Sequence, residues 1–146
     1  MEVFWYSGSM KIKVAAIILV NGDKALLQLR DNKPDIPHPN TWGFAGGGKL
    51  DNNESFKDGA IRELLEETGY KSKEPIEFMR TTYRLENGSQ VEAVRLLEKY
   101  DQLQELECKE GQRIEFFTAE GIKRIDCFPG VAEAATLAIE RSQQLD

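Results

Sequence analysis

Glu63, Glu66 and Glu67 fall close together near the middle of the chain, at spacings that would bring them together if the segment is a helix. At about 100° per residue, with Glu63 at zero, Glu67 lies at about +40° and Glu66 at about −60°. The three carboxylates then share one sector, away from the arc of Ile61, Leu64, Leu65 and Thr68 that the same spacing assigns to the buried face. Like charges at i,i+3 and i,i+4 repel by a few tenths of a kcal/mol each. The last turns of a helix also carry the negative end of its dipole. A divalent cation would reverse both penalties. Donors made only of oxygen suit Mg²⁺, with Mn²⁺ as a substitute, and the single histidine and two cysteines form no cluster that would favour zinc. The competing reading is a solvated acidic face. Three neighbours argue for the cation: Arg62, at i,i+4 from Glu66; a glycine-rich loop, Gly46 to Gly48, leading to the same helix; and Glu54, where the helix begins.

The elements that must position these residues follow from periodicity and breakers. From Glu54 to Thr68, Gly59 is the only breaker, and Gly69 stands where a C′ glycine stops a helix. Lys13 to Val20 and Ala25 to Leu29 flank Asn21, Gly22 and Asp23, which predicts a β-hairpin. Pro34, Pro37 and Pro39 make residues 31–40 a loop. Thr41 to Phe44 reads as a short strand entering the glycines. Ile76 to Arg84, the turn Glu86-Asn87-Gly88 and Val91 to Leu97 predict a second hairpin, and Arg113 to Phe117 a further strand. Thr118 can cap a short turn, and Pro129 can open a last helix over Val131 to Arg141. The order predicts an α/β (α+β) sandwich with a mixed central sheet.

A length of 146 residues, 40% of them apolar and 30% charged, predicts one globular domain over residues 1–146, with 1–10 as an N-terminal extension. The longest apolar run, Val14 to Val20, is far too short to cross a bilayer, and the first ten residues lack the pattern of a secretory signal. The expected location is cytoplasmic, with Cys108 and Cys127 as reduced thiols. A net charge of −6 argues against nucleic-acid partners, including an RNA-processing role. Phe4, Trp5 and Tyr6 form an apolar cluster that packs either on the chain's own core or on a second copy, a homodimer. His38 reads as a solvated loop residue. Trp42 and Phe44 read as core packing in preference to a stacking wall.

Gly48, five residues, Glu54, seven residues, and then Arg62-Glu63-Leu64-Leu65-Glu66-Glu67-Thr68-Gly69-Tyr70 resembles the 23-residue Nudix box of the Nudix hydrolases. Every polar and glycine position of that pattern is filled. Tyr70 replaces the usual aliphatic residue, and Asp51-Asn52-Asn53 stands where an acidic residue, proline and glycine are common. The opening hairpin, Trp42-Gly43-Phe44 and Lys109-Glu110-Gly111-Gln112 are also similar to the family, so the resemblance covers roughly residues 11–140.

The resemblance implies an αβα sandwich and a metal-dependent pyrophosphohydrolase acting on a nucleoside diphosphate linked to another moiety. By position, Glu63, Glu66 and Glu67 would hold the metal, with the carbonyl of Gly47 as a further ligand. Glu110 matches a distal glutamate that joins the metal site in members similar to the mutator-preventing triphosphatases. Glu63 and Glu110 are the candidates for the general base, while Glu54 and Arg62 would hold loop and helix together. Arg30 matches a position that contacts nucleotide in those members. The implied substrate is a nucleoside triphosphate, with ADP-ribose or a nucleotide sugar as the alternative. Ala132, after Phe128-Pro129-Gly130-Val131, stands where members that recognise 8-oxoguanine carry asparagine, which argues against that base. A non-catalytic nucleotide-binding module is the remaining class, and retention of all three glutamates argues against it.

Overall fold

The computed structural model describes residues 11–145, so the aromatic cluster at Phe4, Trp5 and Tyr6 lies outside the described residues. Its spine is β1 (Lys11–Asn21), followed by β2 (Lys24–Leu29), β3 (Trp42–Phe44), β4 (Gly47–Lys49), α1 (Phe56–Thr68), β5 (Ile76–Arg84), β6 (Gln90–Lys99), β7 (Arg113–Thr118), a short α2 (Ala119–Ile122) and α3 (Val131–Gln143). One seven-stranded sheet runs β3-β2-β1-β6-β5, with β4 paired to β1 and β7 to β2. β1 and β6 are parallel, and all the other pairs are antiparallel, so the sheet is mixed.

β1 reads as an unbroken apolar run because both of its faces are covered. Ala15, Ile17 and Leu19 pack with Ala60, Leu64 and Tyr70 on the α1 side, while Ile18 and Val20 pack with Ala134, Ala135 and Ala138 of α3. Period-two alternation thus divides one strand between two cores, and the result is the predicted three-layer sandwich. Both hairpins form. The first pairs Asn21 with Lys24 around Gly22, whose φ of 64° lies in the left-handed region.

The glycines are the main departure from the expected loop. Gly47–Lys49 is a strand whose residues pair with Val14, Ala15 and Ala16. β1 is in register with β2 only at Val20 and Asn21, and Val14–Ala16 pair instead with β4. Side chains would not fit there. A Cβ on Gly46 would lie 2.3 Å from Leu64 Cδ1 and 3.0 Å from Leu64 Cα, and one on Gly47 would lie 2.6 Å from the Cβ of Ala16. Gly46→Ala should therefore cost about 1–3 kcal/mol by overpacking. A denaturant melt checks this, and an unchanged midpoint would show that α1 is not seated on Gly46.

Two helix starts also differ from expectation. α1 begins at Phe56, capped by Ser55, whose hydroxyl accepts from the backbone N–H of Asp58 at 3.0 Å, so Glu54 lies outside the helix. Gly130, at φ 86°, is the N-cap of α3, so Pro129 precedes the cap and does not occupy the first helical turn. Thr118 caps α2 as expected, its hydroxyl accepting from Gly121 N–H at 3.0 Å.

Candidate functional site

α1 is rotated from the orientation that its apolar spacing predicts. Its buried residues are Gly59, Ala60, Leu64, Glu67 and Thr68, whereas Leu65 is 41% exposed and Ile61 half-buried. Close contact of Leu64 with Gly46 sets this rotation, and it turns Glu67 inward to 4% exposure. The three carboxylates therefore do not share one solvent-facing sector. Glu67 is buried, Glu63 is partly covered, and Glu66 stays in solvent.

Glu67 Oε2 accepts the backbone N–H of Gly47 at 3.2 Å. Glu63 lies across β4, with its Oε1 2.7 Å from where a Cβ on Gly48 would stand. Burial, above all, pushes the Glu67 carboxyl far above the ordinary carboxylate range. A hydrogen bond with Glu63 and the charges of Glu110 and Glu63 push it further, against the opposing effect of the Gly47 N–H. Carboxylates crowded in this way, one of them with its anion disfavoured by burial, mark a place where a cation fits.

Arg62 ties the surroundings together. Its Nε and Nη2 donate to the two oxygens of Glu54 at 2.7 and 2.9 Å, and its Nη1 donates to Glu63 at 3.3 Å and Glu66 at 3.2 Å. Glu54 also accepts the backbone N–H of Asp51 at 2.9 Å, and these bonds, Arg62 first, hold its carboxyl down to about 2. A Cβ on Gly59 would lie 2.7 Å from Leu50 Cγ, so that glycine lets the helix approach the 49–54 turn. Glu54 and Arg62 thus join loop to helix, as the resemblance implies. Arg62→Met should free this turn and weaken Mn²⁺ affinity about 10- to 100-fold. Titration followed by the Mn²⁺ EPR signal reads this directly, and an unchanged affinity would reduce the Arg62 cluster to a surface ion pair.

Glu110 arrives from far along the chain. Backbone N–H groups of Glu107 and Lys109 donate to the carbonyls of Thr68 and Glu67 at 2.9 and 3.0 Å, satisfying the end of α1. On the other side, Gln28 Nε2 donates to the Glu110 carbonyl at 2.7 Å, and the Gln112 N–H donates to the Leu29 carbonyl at 2.8 Å. Gly111, at φ 82°, makes the turn, and a Cβ there would stand 2.7 Å from the Leu29 oxygen. The carboxylate of Glu110 is thereby brought near enough to raise the Glu67 carboxyl. Sequence reasoning missed Gln28, although a polar residue inside an apolar strand was the visible signal.

Other expected residues have structural partners. Arg30 Nη2 donates to the Pro37 carbonyl at 2.7 Å, and its guanidinium lies 4.9 Å from the Phe128 ring centroid, so it fastens the 31–40 loop. His38 is exposed and meets Phe128 edge-on at 5.0 Å. Trp42 is buried against Phe117, as core packing requires. Tyr70 is 1% exposed and accepts the Asp101 N–H at 3.1 Å, and burial pushes its phenol up to about 12. Both cysteines are free thiols. Among the described residues, no helix is long and apolar enough to cross a membrane.

No three His, Cys, Asp or Glu side chains among the described residues already surround one point as a closed cage. Glu66 is turned onto Arg62, and Glu63 and Glu67 meet each other. The donor set still fits a divalent cation: it is all oxygen, it includes a buried carboxyl whose anion is disfavoured as it stands, and it is flanked by further carboxylates.

A family model described as the NUDIX domain matches residues 10–133. Among solved structures, the MutT protein from Methanosarcina mazei Go1 has a TM-score of 0.72 at 20% identity, covering 93% of this chain and 97% of that one. A C. elegans Ap4A hydrolase has a TM-score of 0.64 at 19% identity, covering 91% of this chain and 95% of the other. The NUDIX domain of Shewanella oneidensis NrtR, crystallised with ADP ribose, has a TM-score of 0.66 at 16% identity, covering 93% and 89%.

Proposed function

The chain belongs to the Nudix family of pyrophosphate-bond hydrolases, and from that premise we propose that it is a Mg²⁺-dependent pyrophosphohydrolase of a nucleoside triphosphate. The observation that carries this reading is the buried Glu67, fixed on the Gly47 N–H and crowded by Glu63 and Glu110. When bound, a divalent cation there would neutralise phosphate oxygens and acidify a water. Glu67, Glu63, Glu66 and the Gly47 carbonyl are the groups that would hold it, with Glu110 beside them.

The chain's own tasks are to position and to accept a proton. The Gly47 N–H orients the Glu67 carboxyl, and Arg62 holds the Glu63 and Glu66 carboxylates on its own side chain. Glu63 is already engaged with Arg62 and Glu67. The Glu110 side chain is exposed and has no hydrogen-bond or ion-pair partner among the described residues, so we assign to it the proton of the attacking water. Arg30 is assigned to the substrate side, where the guanidinium nitrogen not bonded to the Pro37 and His38 carbonyls would meet a phosphate.

A panel of nucleoside triphosphates, ADP-ribose and nucleotide sugars with Mg²⁺ or Mn²⁺, scored for phosphate, pyrophosphate and mononucleotide, tests the proposal. Triphosphates should be cleaved fastest, and EDTA should abolish the reaction. The second reading, hydrolysis of ADP-ribose, is favoured by the NrtR domain's bound ligand, and a panel led by ADP-ribose would replace the first. Nucleotide binding without turnover in either metal would mean a binding module.

A further inference from the structure

Three strands end side by side next to the Glu110 turn. Leu29, the last residue of β2, is in register with Trp42, the first of β3, and with Arg113, the first of β7. β3 and β7 thus lie on opposite sides of β2. Strands are about 4.8 Å apart, so the chains outside β3 and β7 are separated by about 10 Å. On one side of this gap the 31–40 loop returns at Asn40 and Thr41, and on the other stands the turn Glu110-Gly111-Gln112.

One side chain crosses the gap. Gln112 Nε2 donates to the Arg30 carbonyl at 2.7 Å and to Asn40 Oδ1 at 2.9 Å. A carboxamide nitrogen carries two hydrogens, and both are engaged. Asn40 is held ready for this contact: its φ of 59° lies in the left-handed region, and its N–H donates to the Asp31 carbonyl at 3.0 Å. The Arg30 N–H donates to the Thr41 carbonyl at 2.8 Å, so the Gln112 amide grips the loop where its two ends meet. Both Gln112 bonds are exposed to water and add little to global stability. The sheet does not need them, because the Gln112 backbone is already bonded to Leu29. What they fix is the placement of two loops. One carries Glu110, and the other follows Arg30, whose guanidinium is bonded to the Pro37 and His38 carbonyls of that loop.

We infer that Gln112 is a positioning residue: its side-chain amide ties the 31–40 loop to the Glu110 turn, so that a phosphate met by Arg30 stands at a fixed place relative to the Glu110 carboxylate. This rests on the hydrolase reading and on the roles proposed above for those two residues. Gln28 fastens the same turn to β2 through the Glu110 carbonyl. Gln112 adds the sideways tie to the chain entering β3, which a bond to β2 alone does not supply. Misplacing a reacting group by about 1 Å can cost about 100-fold in rate.

Wild type, Gln112→Ala and Gln112→Glu are compared with ATP and GTP in Mg²⁺, each also in a Glu110→Gln background. Glutamate keeps the length of the side chain and loses both donors, so the two variants should behave alike. For each, kcat should fall about 10- to 100-fold while KM stays within about threefold and the thermal midpoint hardly moves. In the Glu110→Gln background the same substitutions should cost less than about twofold, because the group they align is gone. Equal losses in both backgrounds, or a wild-type kcat in Gln112→Glu, would overturn the assignment. Exchange of the Asn40 N–H, followed by NMR in EDTA, needs no turnover and should be about 3- to 10-fold faster in both variants. If neither triphosphate is hydrolysed, the proposed function fails, and faster exchange still supports the tie between the loops. An unchanged exchange rate would sink the tie whatever the enzyme cleaves.

Discussion

Glu67→Gln should lose about 100- to 1,000-fold in turnover, the scale of removing one group that stabilises transition-state charge, while making the metal-free protein more stable. Both effects have one cause. The carboxylate is buried beside Glu63 and Glu110, where its anion is disfavoured. Glutamine has nearly the same shape, keeps an acceptor for the Gly47 N–H at this position, and removes the charge. It cannot replace an anionic metal ligand. Steady-state kinetics in Mg²⁺, with thermal melts in EDTA, check the pair. A variant with near wild-type turnover would reject the site. One that loses activity but melts lower in EDTA would show that Glu67 serves packing and is not held against an electrostatic penalty.

The second large effect is on stability as a function of pH. The unfolded carboxyl of Glu67 titrates near 4.5, and the folded one titrates well above that. Between these values the native state holds more protons than the unfolded state, so unfolding free energy falls as pH rises through this window. One proton contributes at most about 1.4 kcal/mol per pH unit. From pH 5.5 to 7.5 the metal-free protein should therefore lose about 2–3 kcal/mol, or roughly 5–10 °C in Tm. Glu54 is depressed to about 2. It is ionised in both states over this range and adds no slope; its contribution is lost only as pH falls from about 4.5 toward 2. A fixed concentration of Mg²⁺ or Mn²⁺ should stabilise the protein most at pH 7.5, where protons compete least for the carboxylates; one hundred times the Kd at that pH corresponds to about 3 kcal/mol, or roughly 5–10 °C in Tm. Melts at several pH values, with and without metal, decide this. A flat profile in EDTA, or Glu67→Gln retaining the full slope, would place the titration elsewhere.

Much of the fold and part of the site were legible in the sequence, because both depend on local spacing. Alternation and turn residues located the two hairpins, and Gly69 ended α1, whereas its start falls at the Ser55 cap and not at Glu54. Glu54 and Arg62 were legible as a pair through the resemblance, and the structure joins them with two hydrogen bonds. The glycines were visible as a run, but their pairing with Ala15 and Ala16 was not, since a strand without side chains has no hydrophobic pattern to read.

The sequence by itself determined which residues carry charge, where the chain must turn, and the order of the strands and helices other than β4, all properties fixed by neighbours along the chain. Only the tertiary structure decided that Glu67 is buried while Leu65 is not, because helix rotation is set by the contact of Leu64 with Gly46, a pair brought together by the sheet. It also decided that Glu110 stands beside Glu67, through bonds from Gln28 and Lys109 on either side. The reach of Gln112 to Arg30 and Asn40 was decided there as well. Such positions depend on contacts between distant segments, and the packing of two layers on one sheet fixes them where local periodicity cannot.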